Sequence, residues 1–201
     1  GSTKSISPRH PRNPSERGGS LREISLHILD LAANSVSAGA TTIKIEIEED
    51  QATDTLLVRI TDNGKGLSPE MITMVTDPFV TSRTERKVGL GLPLLKAAAE
   101  ACNGSLSISS EEGNGTTVEV RFQLSHIDRM PLGDLVDTLL TLEVGTPEVH
   151  WIFWIRKDGK EFYFDDQDLK RELGDLPLCN PEVIRYLRSI FSEGINALEL
   201  I

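Results

Sequence analysis

The chain has 201 residues and a formal net charge of −10, with 31 Asp and Glu against 21 Lys and Arg. This acidic balance argues against nucleic acid or an anionic membrane as the main partner, because both require clustered basic side chains. No run of about 18 apolar residues is present to span a bilayer, and two cysteines are too few for a disulfide framework or a zinc cluster, so we expect a cytoplasmic protein.

Composition divides the chain into three segments. Residues 1–19 are rich in Ser, Pro and Gly, and the opening Gly1-Ser2 is typical of a cloning scar, so we expect a disordered tail. Most aromatic side chains follow residue 125, and few precede it. We therefore predict a domain at 20–124 and a smaller accessory domain at 130–201, whose net charge of −7 suits a protein partner with a basic face.

The elements of 20–124 follow the order α-β-β-α-α-β-β. A capping box from Ser20 to Glu23 predicts a first helix that begins at Leu21. Strict alternation from Thr41 to Glu48 predicts a half-buried strand. Further signals predict strands at 55–61, 105–110 and 116–124, and helices that begin at Ser68-Pro69 and Gly91. This order predicts an α+β sandwich, with helices on one face of a mostly antiparallel sheet.

The segment 130–201 predicts a small α+β unit. Residues 132–142 are apolar at helical spacing, and strands at 149–156 and 160–165 flank a hairpin turn. Asp165 or Asp166 is a candidate helix cap, and Asn180-Pro181 begins a last helix. The aromatic residues here favour a core over a binding patch. This segment shows no family resemblance.

Three features of 20–124 carry candidate chemistry. Asp30 and Asn34 lie four residues apart and share one helix face. A carboxylate beside an amide can bind Mg²⁺, or the carboxylate can activate a nucleophile. An ordinary solvent-exposed polar helix face would show the same pattern. Asp62 precedes a glycine-rich turn and is placed to accept a hydrogen bond from an exocyclic amine such as that of adenine. The segment 89–92 opens a helix, a geometry that binds phosphate.

Five ordered segments together resemble the nucleotide-binding motifs of the GHKL ATPases. They are LDLAANSVSAGA (29–40), TDNGKGL (61–67), DPFVTSR (77–83), GLGLPLLK (89–96) and GNGTTVEVRF (113–122). The first segment is most similar to MutL, whereas the third and fourth are similar to histidine kinases and anti-sigma serine kinases. The resemblance implies the Bergerat ATP-binding fold for residues 20–124.

The resemblance also implies roles for individual residues. Asn34 would ligand Mg²⁺ between the phosphates, and Asp62 would bind the adenine amine with help from Thr116 through water. Gly64 and Gly66 would shape the adenine pocket. The implied lid residues are Phe79, Thr81, Ser82 and Arg83, and the implied phosphate-end residues are Gly89, Gly91 and Leu92. ATP or ADP and Mg²⁺ are the implied cofactors.

Asp30 departs from the family pattern, which usually has Glu as general base at this position. Asp is one methylene shorter, so phosphoryl transfer could be weakened while binding survives. His10 lies in a Pro-rich tail that cannot form the phosphoacceptor helix of a histidine kinase. We therefore expect a signalling kinase or regulator that acts on a separate protein. The alternatives are an ATP- or ADP-sensing module with little catalysis and a MutL- or chaperone-like clamp that forms a homodimer.

Overall fold

The computed structural model describes residues 22–77 and 91–201. Within these ranges the chain forms six helices and six strands, and none of these helices is both long and apolar enough to cross a membrane. The elements in chain order are α1 (Ile24–Ser37), β1 (Thr42–Asp50), β2 (Thr55–Asp62), α2 (Pro69–Thr76), α3 (Gly91–Ala101), β3 (Ser105–Glu111), β4 (Gly115–Gln123), α4 (Leu135–Gly145), β5 (His150–Lys157), β6 (Lys160–Asp165), α5 (Asp166–Leu173) and α6 (Pro181–Asn196).

All of these strands belong to one six-stranded mixed sheet, in the order β3-β4-β2-β1-β5-β6. Neighbouring strands run antiparallel except β1 and β5, which run parallel. A parallel pair requires a long crossover, and here the crossover contains every element from β2 to α4. The predicted α+β class, with a mostly antiparallel sheet, is confirmed.

One face of this sheet forms the hydrophobic core. Ile43, Ile45 and Ile47 of β1 are fully shielded from solvent, which confirms the strand predicted from their alternation. In the parallel register Ile45 is the partner of Phe153 and Ile47 is the partner of Ile155. Because partners in register share a face, β1 and β5 bury one continuous apolar surface.

Helices α1, α4 and α6 lie over that surface, with α4 in contact with both of the others. Phe191 of α6 meets the rings of Phe153, Phe162 and Phe164 at centroid distances of 5.8, 6.2 and 5.0 Å. The three contacts are edge-to-face, the arrangement that aromatic rings prefer. The phenylalanine cluster of the C-terminal segment therefore forms core, as the sequence predicts, whereas Tyr163 and Tyr186 are exposed.

The C-terminal segment extends the sheet of the N-terminal segment. The predicted boundary near residues 125–130 coincides with no break in the sheet, because β5 pairs along its length with β1. Apolar residues from both segments also belong to one core cluster. The assignment of 130–201 to an accessory domain remains a prediction about function. The N-terminal and C-terminal segments pack around one hydrophobic core.

The start of α1 also depends on the C-terminal segment. The helix begins at Ile24, three residues later than the capping box predicts, and Glu23 at its N-cap makes no side-chain cap. The amides of Ile24 and Ser25 donate instead to the carbonyl oxygens of Pro131 and Leu132, both at 2.9 Å. These bonds satisfy two of the amides that a helix N-terminus leaves free.

The opposite face of the sheet is polar. Arg59 on β2 bonds Glu119 on β4 at 2.7 Å and Glu46 on β1 at 3.3 Å. On β5, the Arg156 guanidinium lies 4.2 Å from the centroid of the Trp154 ring. The Arg59 pairs join neighbouring strands, and such cross-strand pairs stabilise sheets.

Two carboxyl groups are buried in the helical layer. Glu143 of α4 and Asp166 of α5 are both 0% exposed, and their side-chain oxygens accept no hydrogen bond within the described ranges. Asp166 does form an ion pair with Lys170, one turn further along α5. Burial and the charge of Asp166 raise the pKa of Glu143 to about 8.

Candidate functional site

A cavity of about 240 Å³ lies between α1, α2, α3 and the sheet. It is a plausible size for a planar base, and its lining mixes apolar side chains with a few polar groups, as ligand sites do. The lining residues are Leu31, Asn34, Ser35, Ser37, Ala38, Asp62, Lys65, Gly66, Leu67, Met71, Val75, Leu92, Ile108, Thr116 and Val118.

Asp62 is the polar centre of this cavity. It is the last residue of β2 and only 9% exposed. Its Oδ1 accepts from the amides of Gly64 at 2.9 Å and Thr116 at 3.2 Å, while its Oδ2 accepts from the Ser35 hydroxyl at 2.5 Å. Three donors thus fix the carboxylate, and Oδ2 keeps one lone pair for a ligand.

The glycine turn after Asp62 brings two segments of backbone close together. Gly66 has φ +72°, and a Cβ there would lie 2.0 Å from the carbonyl oxygen of Glu111. Gly115 has φ +90°, and a Cβ there would lie 1.9 Å from the carbonyl oxygen of Asp62. Only glycine fits at these two positions. The turn is therefore held against the β3–β4 hairpin, which carries Thr116 into the cavity.

The hydroxyl of Ser110 positions the Thr116 side chain. Its Oγ1 lies 2.8 Å from the Oγ of Ser110, which also accepts from the Leu67 amide at 2.7 Å. Ser110 and Ser35 were not predicted as site residues, because isolated serines on a strand and a helix carry no sequence signal. Met71, Ile108 and Val118 were also missed, since apolar residues that cover a ligand look like core residues.

The other end of the cavity is formed by α1 and the start of α3. Asn34 lines the cavity, whereas Asp30, one turn earlier, does not. The Asp30 side chain is 56% exposed and lies 3.8 Å from the Arg22 guanidinium. Its Oδ2 is 4.0 Å from the position that a Cβ on Gly91 would occupy. Asp30 therefore lies beside the first residue of α3, where free amides favour an anion.

The structure brings together five of the predicted site residues and leaves others untested. Asn34, Asp62, Gly66, Leu92 and Thr116 line the cavity. Gly64 contributes its amide to Asp62, and Gly91 begins α3. The predicted residues Phe79, Thr81, Ser82, Arg83 and Gly89 lie outside the described residues.

His27 on α1 is buried behind the site rather than open to it. It is 4% exposed, and burial followed by the charge of Arg22 lowers its pKa, while Asp30 acts in the opposite direction. The folded chain therefore binds a proton at His27 more weakly than the unfolded chain does. The contribution of neutral His27 to the free energy of unfolding is therefore fully present above about pH 6.5. This contribution is lost as the pH falls through the lowered pKa of His27 in the folded state.

We expect His27→Leu to flatten this acid dependence. Urea unfolding at pH about 7.5 and about 5.5 measures the free energy of unfolding of both proteins. Wild type loses more stability between the two conditions than His27→Leu does, because the leucine cannot be protonated. A His126→Gln control, on a turn outside the helix, keeps the wild-type dependence. Equal losses in wild type and His27→Leu contradict the prediction.

The sequence of residues 19–126 matches the family described as histidine kinase-, DNA gyrase B-, and HSP90-like ATPase. The chain belongs to this family. The match contains the whole cavity, and it agrees with the GHKL resemblance of the five motifs.

Relatives of the family are similar to this chain over the same region. A putative sensor histidine kinase NtrY-like of Rickettsia conorii is 32% identical over 108 residues, which are 54% of this chain and 18% of the relative. Sporulation kinase D of Bacillus subtilis is 34% identical over 98 residues, 49% of this chain and 19% of that kinase. The chain thus spans less than a fifth of the length of these kinases.

Two solved structures are also similar to parts of this chain. The Aquifex aeolicus MutL ATPase domain complexed with ADP is 19% identical, with a TM-score of 0.43, and the match covers 74% of this chain and 66% of that one. Full-length ShkA in complex with AMPPNP is 20% identical, with a TM-score of 0.40, covering 48% of this chain and 20% of that one.

Proposed function

We propose that the chain binds ATP in the cavity around Asp62 and acts as a signalling kinase or regulator on a separate protein. The observation that carries the proposal is the buried Asp62 carboxylate, fixed by three donors with one lone pair free. A carboxylate held in this way accepts from the exocyclic amine of adenine and meets the carbonyl of guanine with an unfavourable contact. Membership in a family of ATPases agrees with this specificity.

The far end of the cavity fits a magnesium–phosphate group. Asn34 offers a neutral amide oxygen beside the phosphate position, and hard oxygen ligands of this kind suit Mg²⁺. When bound, Mg²⁺ would neutralise charge on the phosphates. Backbone amides at the start of α3 would provide positive potential at this end of the cavity. They would reduce the repulsion between a bound anion and the acidic chain.

Asp30 is the proposed general base. Its exposed carboxylate lies beside the first residue of α3, at the phosphate end of the site. From there it would orient or deprotonate the hydroxyl or imidazole of an acceptor that approaches from solvent. The same exposure, with a side chain shorter than Glu, supports the second candidate function, an ATP- or ADP-sensing module with little catalysis.

The acceptor is proposed to belong to another protein. Among the described histidines, His27 is buried, His150 is engaged by Asp165 and Gln167, and Nδ1 of His126 accepts from the Asp128 amide. The excess of acidic side chains in 125–201 favours a partner with a basic face, and a homodimer is a further proposed assembly. We place this activity in the cytoplasm, where the free thiols of Cys102 and Cys179 would stay reduced.

Phosphoryl transfer from γ-labelled ATP tests this function. The label is added to a clarified lysate with purified wild type, Asp30→Asn or Asp62→Asn. Above the background of the lysate alone, we expect a labelled protein with wild type and a signal about 10²- to 10⁴-fold weaker with Asp30→Asn. At an ATP concentration below saturation, Asp62→Asn should give a signal about 10- to 100-fold weaker. If wild type binds ATP tightly yet no label moves and no ATP is hydrolysed, the kinase is excluded and the sensor remains.

A further inference from the structure

A second cluster of chemically active side chains lies outside the nucleotide cavity. Among the residues that the structure describes, His150, Asp165 and Asp166 form a group of three metal-binding side chains whose ligand atoms all lie within 4.8 Å of one another. His150 begins β5, Asp165 ends β6, and Asp166 begins α5. The proposed function of the chain uses none of them.

A third carboxyl group lies against Asp166 of this cluster. Glu143 of α4 is 0% exposed, accepts no hydrogen bond from an N–H or hydroxyl donor within the described ranges, and interacts with Asp166 through charge and a carboxyl–carboxyl hydrogen bond. Asp166 is also 0% exposed, and both of its oxygens lack a hydrogen bond of good geometry. Buried carboxyl groups without donors are costly unless they are paired or bind a metal.

The charge of the cluster is not balanced by the protein. Glu143, Asp165 and Asp166 bring three carboxyl groups together, while Lys170 supplies one ammonium that contacts Asp166. The same Nζ also donates to the carbonyl oxygen of Val149 at 2.5 Å. One ammonium thus faces more than one carboxyl group in the cluster.

The geometry of the cluster suits a small transition metal. His150 Nε2 lies 2.8 Å from Asp165 Oδ1 and 3.9 Å from Asp166 Oδ1. Ligands about 2.0–2.1 Å from Zn²⁺ in a tetrahedral site are about 3.3 Å apart, so small side-chain rotations satisfy both distances. The side-chain nitrogen of Gln167 lies 3.2 Å from Nδ1 of His150. With the Gln167 side-chain amide turned by 180°, its oxygen accepts the proton on Nδ1 and leaves Nε2 of His150 for a metal.

We propose that His150, Asp165 and Asp166, supported by Glu143, bind one divalent transition metal of the Zn²⁺ class. An imidazole nitrogen among carboxylates prefers Zn²⁺ to Mg²⁺ or Ca²⁺. The metal connects β5, β6 and α5, which lie at the β6 edge of the sheet. This site is separate from the Asn34 position in the nucleotide cavity.

Metal binding is tested on the full chain without nucleotide, after treatment with a chelator. Calorimetric titration with Zn²⁺ should show one equivalent bound, and a thermal melt should show a higher midpoint with Zn²⁺ than without it. His150→Gln and Asp165→Asn each weaken binding by at least about tenfold. The asparagine keeps the acceptor that caps α5, so this variant is expected to fold.

Matched variants separate this site from accidental binding. His126→Gln and Cys179→Ser change a half-buried histidine and an exposed cysteine outside the cluster and should leave Zn²⁺ affinity unchanged. Co²⁺ bound at a tetrahedral site gives visible absorption bands, which His150→Gln should abolish. The proposal is overturned if wild type binds no stoichiometric Zn²⁺, or if either control variant removes binding while His150→Gln and Asp165→Asn retain it.

Discussion

Asp62→Asn is expected to lower ATP affinity by about 10- to 100-fold, which corresponds to the loss of a hydrogen bond to a charged group, about 1.5–3 kcal/mol. The introduced amide has the shape of the carboxylate, and its oxygen still accepts from the amides of Gly64 and Thr116. Its nitrogen, however, takes the place of Oδ2 and presents a donor toward the adenine amine. We therefore expect the Asp62→Asn variant to fold but to lack the acceptor for the exocyclic amine of adenine.

Calorimetry with ATP measures this change, and Asp175→Asn provides the matched control. Asp175 is exposed and lies outside the cavity, so its substitution leaves the affinity unchanged. Ser35→Ala is expected to lower affinity less than Asp62→Asn does, because it removes only one donor that fixes Oδ2. Wild-type affinity in a folded Asp62→Asn protein contradicts the assignment of the adenine pocket.

Phe153→Ala is expected to destabilise the whole chain by about 3–5 kcal/mol, the usual cost of removing a large buried aromatic side chain. Phe153 is 0% exposed, pairs in register with Ile45 of β1 and packs against Phe191 of α6. Its loss opens a cavity at the seam where the N-terminal and C-terminal segments share the sheet. Both segments should therefore lose stability together.

Urea unfolding followed by two probes measures this coupling. Trp151 and Trp154 both lie on β5, so tryptophan fluorescence reports on the C-terminal segment, while far-UV circular dichroism reports on all elements. We expect coincident transitions in wild type and an equal shift of both in Phe153→Ala. Ile127→Ala, at a side chain 95% exposed, should change stability by no more than about 0.5 kcal/mol. A fluorescence transition that shifts alone would show that the two segments unfold independently.

Local patterns were sufficient to predict the elements of the fold. The alternation of Ile43, Ile45 and Ile47 predicted β1, and Ser68 caps α2 as predicted, with Pro69 at its first position. These signals depend on neighbours in the chain, so they can be read without the fold. The glycine turn after Asp62 was also visible, because its residues require a particular backbone.

Contacts between distant residues could not be predicted in the same way. The pairing of β1 with β5 joins strands that are far apart in sequence, and no local signal specifies it. The same holds for the bonds from Ile24 and Ser25 to the carbonyls of 131–132, which satisfy amides at the start of α1. Ser20 of the expected capping box lies outside the described residues. In the site, Ser35 acquires its role only because folding places its hydroxyl against Asp62.

Titration of the wild-type chain with ATP, ADP and GTP in the presence of Mg²⁺ tests the central claim most directly. The claim is that the fixed Asp62 carboxylate makes this cavity an adenine-nucleotide site. We expect saturable binding of one ATP, competition by ADP, and binding of GTP weaker by at least about tenfold, because guanine presents a carbonyl where adenine has its amine. Equal binding of ATP and GTP, or no binding of either, would contradict the account.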